Sequence, residues 1–378
     1  MTPTKRVILH IGLPKTGSSS IQASLSGVDT GDVRVARLGD NLFHNLPLAT
    51  LLSDDPARMR QHLNRGHSPE AVEERRARWD SALTEELARD TPTLVLSSEI
   101  ISNARPKNLH ALADRIEASG RRLDLFAYVR DPISLYSSAL QQRLKLFDRT
   151  PNRFDPFQYR KRLAPWLDRL PRDQITLRDF APDQMTGGSP VQDFAAFCGI
   201  PSRAFTEKRR NESLNAEVTK LLWIFNAAMP VSTGRPRLAD ARKRFLRLLK
   251  QNIDGPRFAT PVACIDPLRL GEELDWLADN TGIDYRPRVA HLRPEMAATP
   301  LDPVMRNLAP ATLASLDTLV ADAGLALPHA GPGRKLAALY LAQLAPEPAK
   351  QQTTRRGSFA ARLKSLLRSK NTLGGSGG

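Results

Sequence analysis

Near the start of the chain a short apolar run, Arg6 to Ile11, gives way to Gly12-Leu13-Pro14-Lys15-Thr16-Gly17-Ser18-Ser19 and then to a helical pattern from Ser18 to about Leu25. Where a strand turns into a helix through such a loop, the first helical N–H groups point outward unpaired and the helix dipole favours an anion. Gly12 and Gly17 permit positive φ and close backbone approach, Lys15 adds a mobile cation, and Ser18 and Ser19 add hydroxyl donors. The chemistry open to this set is to grip a phosphate-like group. Ser19 with Gln22 also fits a capping box, which reads the same segment as an ordinary capped helix after a tight turn. A cap, however, needs neither the lysine nor two glycines. The loop is not of the Walker type, in which lysine directly follows the second glycine, because Ser18 holds that place.

Pro14-Lys15-Thr16-Gly17-Ser18-Ser19 instead resembles the 5′-phosphosulfate loop of PAPS-dependent sulfotransferases (PAPS is 3′-phosphoadenosine 5′-phosphosulfate), whose usual pattern is Pro-Lys, Ser or Thr, Gly, then two residues that are Thr or Ser. The family carries a second element, a strand ending in Arg and a helix with Ser eight positions on, which together hold the 3′-phosphate. Here Leu125-Phe126-Ala127-Tyr128-Val129-Arg130-Asp131-Pro132 ends an apolar run, and Ser138 lies eight after Arg130. A planar guanidinium and a hydroxyl so placed can reach one phosphate from two sides. Taken singly, Arg130 reads as a surface partner of Asp131 and Ser138 as a small packing residue; their spacing behind the first motif argues against coincidence. Leu177-Arg178-Asp179-Phe180 with Val191 to Ile200, and Asn211-Glu212-Ser213-Leu214-Asn215, resemble later segments of the same family. The resemblance spans about Arg6 to Leu222.

The resemblance implies a three-layer α/β fold with a parallel sheet, PAPS as co-substrate, no metal, and transfer of a sulfuryl group to a hydroxyl or amine. The expected PAPS contacts are Pro14, Lys15, Thr16, Gly17, Ser18, Ser19, Arg130 and Ser138. Lys15 would neutralise the oxygen that bridges phosphate and sulfur as charge builds there. The acceptor needs a base, for which the family uses His or Glu. Glu99 is expected here, since it follows the apolar run Thr93 to Ser98 and would emerge at the C-terminal edge of the sheet, where open α/β folds bind ligands. The competing reading of Glu99 is a capping or ion-pairing residue near Arg105. His44 is the reserve base; His10, inside the first strand, reads as a core histidine. Lys208-Arg209-Arg210 reads as a solvated charge run, with a 3′-phosphate contact as the alternative.

The elements that must position these groups follow from the same pattern. Ser68-Pro69 opens a charged helix to about Arg89; a helix over Lys107 to Ser119 closes at Gly120; Leu123 to Val129 and Gln174 to Leu177 are strands; Asp131 caps a helix after Pro132; and Val191 to Phe197 is another helix. Alternating strands and helices predict a parallel sheet. Beyond Asn211 the pattern is helical, including Asn215 to Ala228 and Ala239 to Leu249. This gives residues 1–230 as the PAPS-binding core, 231–345 as a helical extension and 346–378 as a basic, partly disordered tail.

The chain has 378 residues, 55 Lys and Arg against 40 Asp and Glu, and a net charge of +15, which favours a polyanionic partner. Cys198 and Cys264 show no metal-ligand spacing and read as buried thiols rather than a disulfide. No run is apolar enough to span a bilayer, so the expectation is a cytoplasmic chain, with membrane-surface contact or plain solvation both open to the tail, where Phe359, Leu363, Leu366 and Leu367 share a helical face. The acceptor expected from the family is a glycan or a lipid-linked glycan. A nucleotide-dependent kinase is the alternative enzyme, against which the misplaced lysine counts. A non-catalytic polyanion binder is the third reading, and no nucleic-acid partner is expected because basic and aromatic residues are not interleaved.

Overall fold

The computed structural model describes residues 5–39, 43–146, 157–208, 213–229, 236–290 and 299–344. Five strands form one all-parallel sheet: β1 (Arg6–Ile11), β2 (Val33–Val35), β3 (Thr93–Ser98), β4 (Arg122–Val129) and β5 (Ile175–Asp179), in the order β2-β3-β1-β4-β5. β1 pairs Val7 with Leu94 and Leu9 with Leu96 on one side, and with Leu123 and Leu125 on the other. From Val7 to Ile11 it is wholly buried, the unbroken apolar run that a central strand needs when helices cover both faces of its sheet. The fold is therefore α/β, as the alternating pattern predicts.

The helices begin and end where the sequence places their signals. α1 (Ser18–Leu25) and α2 (Asn45–Leu51) precede α3 (Pro69–Ala88), where the Ser68 hydroxyl accepts from Ala71 N and proline takes the first helical position. α4 (Pro106–Ala118) is followed by Gly120 at φ 79°, and α5 (Pro132–Lys145) is capped by Asp131, whose carboxylate accepts from Ile133 N at 2.9 Å. α2 and α6 (Tyr159–Leu167), unlike these, have no clear start signal, and α6 contains Pro165; neither these two helices nor the three-residue edge strand β2 are legible in the sequence. α7 (Pro190–Cys198) ends on Gly199 at φ 78°. It packs Phe194 and Val191 with Ile8, Ile21, Val95, Phe126 and Tyr128 into one apolar cluster. Both cysteines are buried free thiols.

Contacts divide the chain into two compact units that interleave in sequence. One comprises Met1–Ala139, Asp155–Glu212 and Thr260–Thr299, the other Leu140–Phe154, Ser213–Ala259 and Pro300–Gly378. The division does not fall at a single point near 230. Residues 260–299 join the sheet-bearing unit because Tyr285 donates to the carbonyl of Val129 at 3.0 Å and to the carboxylate of Asp179, and Arg288 meets Asp131 at 3.3 Å and Asp179 at 3.5 Å. The other unit is helical in its described part. Asn215 caps the helix Ala216–Ala228, and Phe225 meets Phe245 and Tyr340 in its interior. No helix among the described residues is long and apolar enough to cross a membrane. The basic tail, Arg209, Arg210 and the Asn211-Glu212 pair lie outside the described residues.

Candidate active site

After β1 the chain leaves toward β3 and β2, whereas after β4 it leaves toward β5, so the C-terminal ends of β1 and β4 flank the crevice where the winding of the sheet reverses. Crevices at such switch points are where open parallel sheets hold ligands. The loop Gly12 to Gly17 rises on one side of it and Arg130 on the other.

Lys15 has φ 65°, the sole positive φ at a non-glycine among the described residues, and Gly17 follows at φ 79° as the helix N-cap, with no side-chain cap on α1. Left-handed residues alternating with ordinary ones turn successive N–H groups into one concavity suited to an anion. Holding lysine there costs about 1 kcal/mol, and such strain persists where surrounding structure imposes it. Part of what imposes it is visible: Arg130 Nη1 donates to the Lys15 carbonyl at 2.5 Å and Nε donates to Ser134 Oγ at 3.0 Å. The Ser19–Gln22 capping box, the competing reading of this segment, does not form: Gly17 is the N-cap and no side chain caps the helix. Gln22 instead exchanges amide hydrogen bonds with Asn45, at 3.2 and 3.0 Å, and donates to the carbonyl of Ser97, partners that lie far apart in the sequence.

Lys15 and Arg130 are close enough that each disfavours the other's charge. Burial first, then Arg130, hold the Lys15 ammonium below the usual lysine range, and Glu99 opposes them. An anion between the two cations relieves both effects. Arg130 also lies 5.2 Å over the ring of Phe180, which in turn approaches Gly17. Ser138, half-buried, stands one helical turn beyond Ser134, the α5 hydroxyl that Arg130 reaches. Within the loop, Thr16 Oγ1 donates to Leu13 O at 2.7 Å and Ser18 is buried, so these two hydroxyls close the loop in this structure, whereas Pro14 and Ser19 are half-buried.

Gly12 is required by close approach rather than by its backbone angles. A Cβ there would lie 2.2 Å from Ser18 Oγ and 3.2 Å from Glu99 Cα. Gly12→Ala is accordingly expected to cost about 1–3 kcal/mol in urea unfolding, as overpacking does. The double variant with Ser18→Ala should regain only part of that loss, because it removes the oxygen but leaves Ser18 Cβ 2.7 Å from the added carbon. Additive losses would place the strain elsewhere.

Glu99 occupies the edge position expected of it. Its N–H donates to Asn45 Oδ1 at 2.8 Å, and burial raises its carboxyl above the ordinary glutamate range, against the opposing pull of Lys15 and Arg162. The alternative partner, Arg105, is engaged by Asp54 at 2.6 Å. A cleft of about 400 Å³ runs beside the turn that follows Glu99, lined by Leu52, Asp54, Met59, Ile100 and Arg105 among others.

His44 is buried with both ring nitrogens committed. Nδ1 accepts from the backbone N–H of Ser97 at 2.9 Å, which puts the proton on Nε2, and that proton is donated to Ala36 O at 2.8 Å. With no lone pair left for a substrate proton, the reserve base acts as a brace for β3. His10 is a core histidine, as expected: it is fully buried, sits 2.7 Å from Ser97 Oγ, and is pushed down to about 3 by burial. Lys208 is tied through its N–H to Ser24 Oγ at 2.8 Å, in the last turn of α1 and away from the loop. Sequence reasoning missed Asn45, Tyr159 and Arg162; no local signal marks them, since their roles arise only from where their helices pack.

No protein-family model and no curated protein matches the chain.

Proposed function

We propose that this chain is a sulfotransferase of three-layer α/β architecture that moves a sulfuryl group from PAPS to a hydroxyl or amine of an acceptor. The observation that carries the reading is the contact between Arg130 and the Lys15 carbonyl, which brings together two cations 115 positions apart in the sequence at the sheet's switch point. Arg130 and Ser138 would hold the 3′-phosphate, and the loop N–H groups the 5′-phosphosulfate. Lys15 would meet the bridging oxygen as the bond from sulfur to it breaks and the acceptor oxygen bonds to sulfur in line. Glu99 would take the proton that the acceptor loses. The cleft beside the Ile100–Asn103 turn would be the first place to look for the acceptor, and a glycan or lipid-linked glycan is the first class to try.

Adenosine 3′,5′-bisphosphate should raise the melting temperature of the chain, with a stabilisation of about 2.7 kcal/mol at a hundredfold excess over its Kd. Arg130→Ala should abolish the shift. No shift with the natural chain, or an equal shift in the variant, would remove the basis of the proposal. Turnover with PAPS should also survive EDTA; nucleoside triphosphate-dependent turnover that EDTA stops would point to a kinase.

A further inference from the structure

We propose that Arg162 is a positioning residue for Glu99, holding its turn in place and keeping its carboxylate charged while the donor occupies the loop. This rests on the reading that Glu99 takes the acceptor's proton. Tyr159 and Arg162, three apart, share one face of α6. The Tyr159 hydroxyl donates to the carbonyl of Arg130 at 2.7 Å. One turn on, Arg162 Nη1 donates to Ser102 Oγ at 2.7 Å, and the Ser102 hydroxyl donates to the carbonyl of Glu99 at 2.9 Å. α6 thus braces the ends of β4 and β3 at once, and fixes the backbone from which the Glu99 side chain projects.

The charge of Arg162 matters separately from these bonds. Its Nη2 reaches Gln158 Oε1 at 3.3 Å, while its Nε is buried without a hydrogen-bond partner. A guanidinium partly withdrawn from water, with its Nε buried and unpaired, is costly unless a negative charge is near it. Glu99 is the group whose charge offsets that burial. Two cations act on Glu99: Lys15 from the loop after β1, and Arg162 from α6. The other neighbouring elements bring Asn45, which is neutral, and Arg105, which is engaged by Asp54. Once an anionic donor sits against Lys15, that lysine's charge is answered by the donor, and the donor's own charge acts against a second anion nearby. Arg162 is then the cation left to favour the carboxylate, which must be deprotonated to act as a base.

The test uses the full chain labelled with carboxyl-¹³C glutamate, with the Glu99 resonance assigned by its loss in Glu99→Gln. In Arg162→Gln the Glu99 titration midpoint should rise by about one pH unit or more, the size expected on losing a nearby opposite charge. Arg162→Lys should stay close to the natural chain. Equal midpoints in the natural chain and Arg162→Gln, or a shift in Arg162→Lys as large as that in Arg162→Gln, would overturn the proposal. The acid limb of kcat/KM should move upward with the midpoint. A midpoint that moves while the limb stays would leave the Arg162–Glu99 coupling standing and remove Glu99 from the role of base, so the two readings fail separately.

Discussion

Lys15→Ala is expected to lower sulfuryl transfer by roughly 100- to 1,000-fold, or about 3 to 4 kcal/mol of transition-state stabilisation, with the chain still folded. The size follows from where the charge sits. Under the proposed function the ammonium, held near Arg130 in a partly desolvated crevice, would stabilise the departing oxygen without first rearranging solvent. Its backbone supplies a second readout. Because Lys15 holds φ 65°, alanine there keeps the strain and glycine releases it, so Lys15→Gly should be more stable than Lys15→Ala by about 1 kcal/mol while equally inactive. Mass spectrometry of an acceptor incubated with PAPS gives the first number, and urea unfolding gives the second. Retention of more than a tenth of the activity in Lys15→Ala would take the leaving-group role from this residue.

Glu99→Gln is expected to cost on the order of 100- to 10,000-fold in transfer, the usual worth of a positioned general base. The loss should depend on pH. Burial holds the Glu99 carboxyl above the ordinary glutamate range, so activity of the natural chain should climb with pH through that raised value, and the limb should vanish in the variant. Stability gives an independent check with a definite sign. A carboxyl whose folded-state pKa is raised binds more protons folded than unfolded, so its contribution is intact below the unfolded value near 4.3 and is lost as pH rises through the folded one. Glu99→Gln, which mimics the protonated form, should therefore unfold at higher urea than the natural chain near neutral pH and match it in acid. A variant that is inactive but no more stable at neutral pH would show that the carboxylate sits in water and is no tuned base.

Much of the frame was legible because its signals are local. Ser68-Pro69, Asp131-Pro132, Gly120 and Gly199 each fix a helix end through bonds within a few residues, and a run such as Val7 to Ile11 can hardly be anything but a buried strand. The Pro14 to Ser19 loop was legible for the same reason, as was the Arg130 and Ser138 spacing. What misled were groups whose partners lie far along the chain. His44 fits a base on residue type alone, yet Ser97 and Ala36 occupy both its nitrogens; Gln22, whose spacing permits the capping box already argued against, is held instead by Asn45 and Ser97.

By itself, then, the sequence determined the parallel α/β character, the glycine-containing turn that leads into α1 and the identity of the residues at the ends of β1, β3 and β4, since periodicity and turn chemistry act over a handful of positions. Only the tertiary structure decided that β1 and β4 are neighbours across a switch point, that Tyr285 and Arg288 meet the ends of β4 and β5, and that α6 carries Arg162 to Ser102, whose hydroxyl holds the Glu99 carbonyl. Strand order and helix docking are set by burial of apolar faces summed over the whole chain, and no window of residues contains that sum.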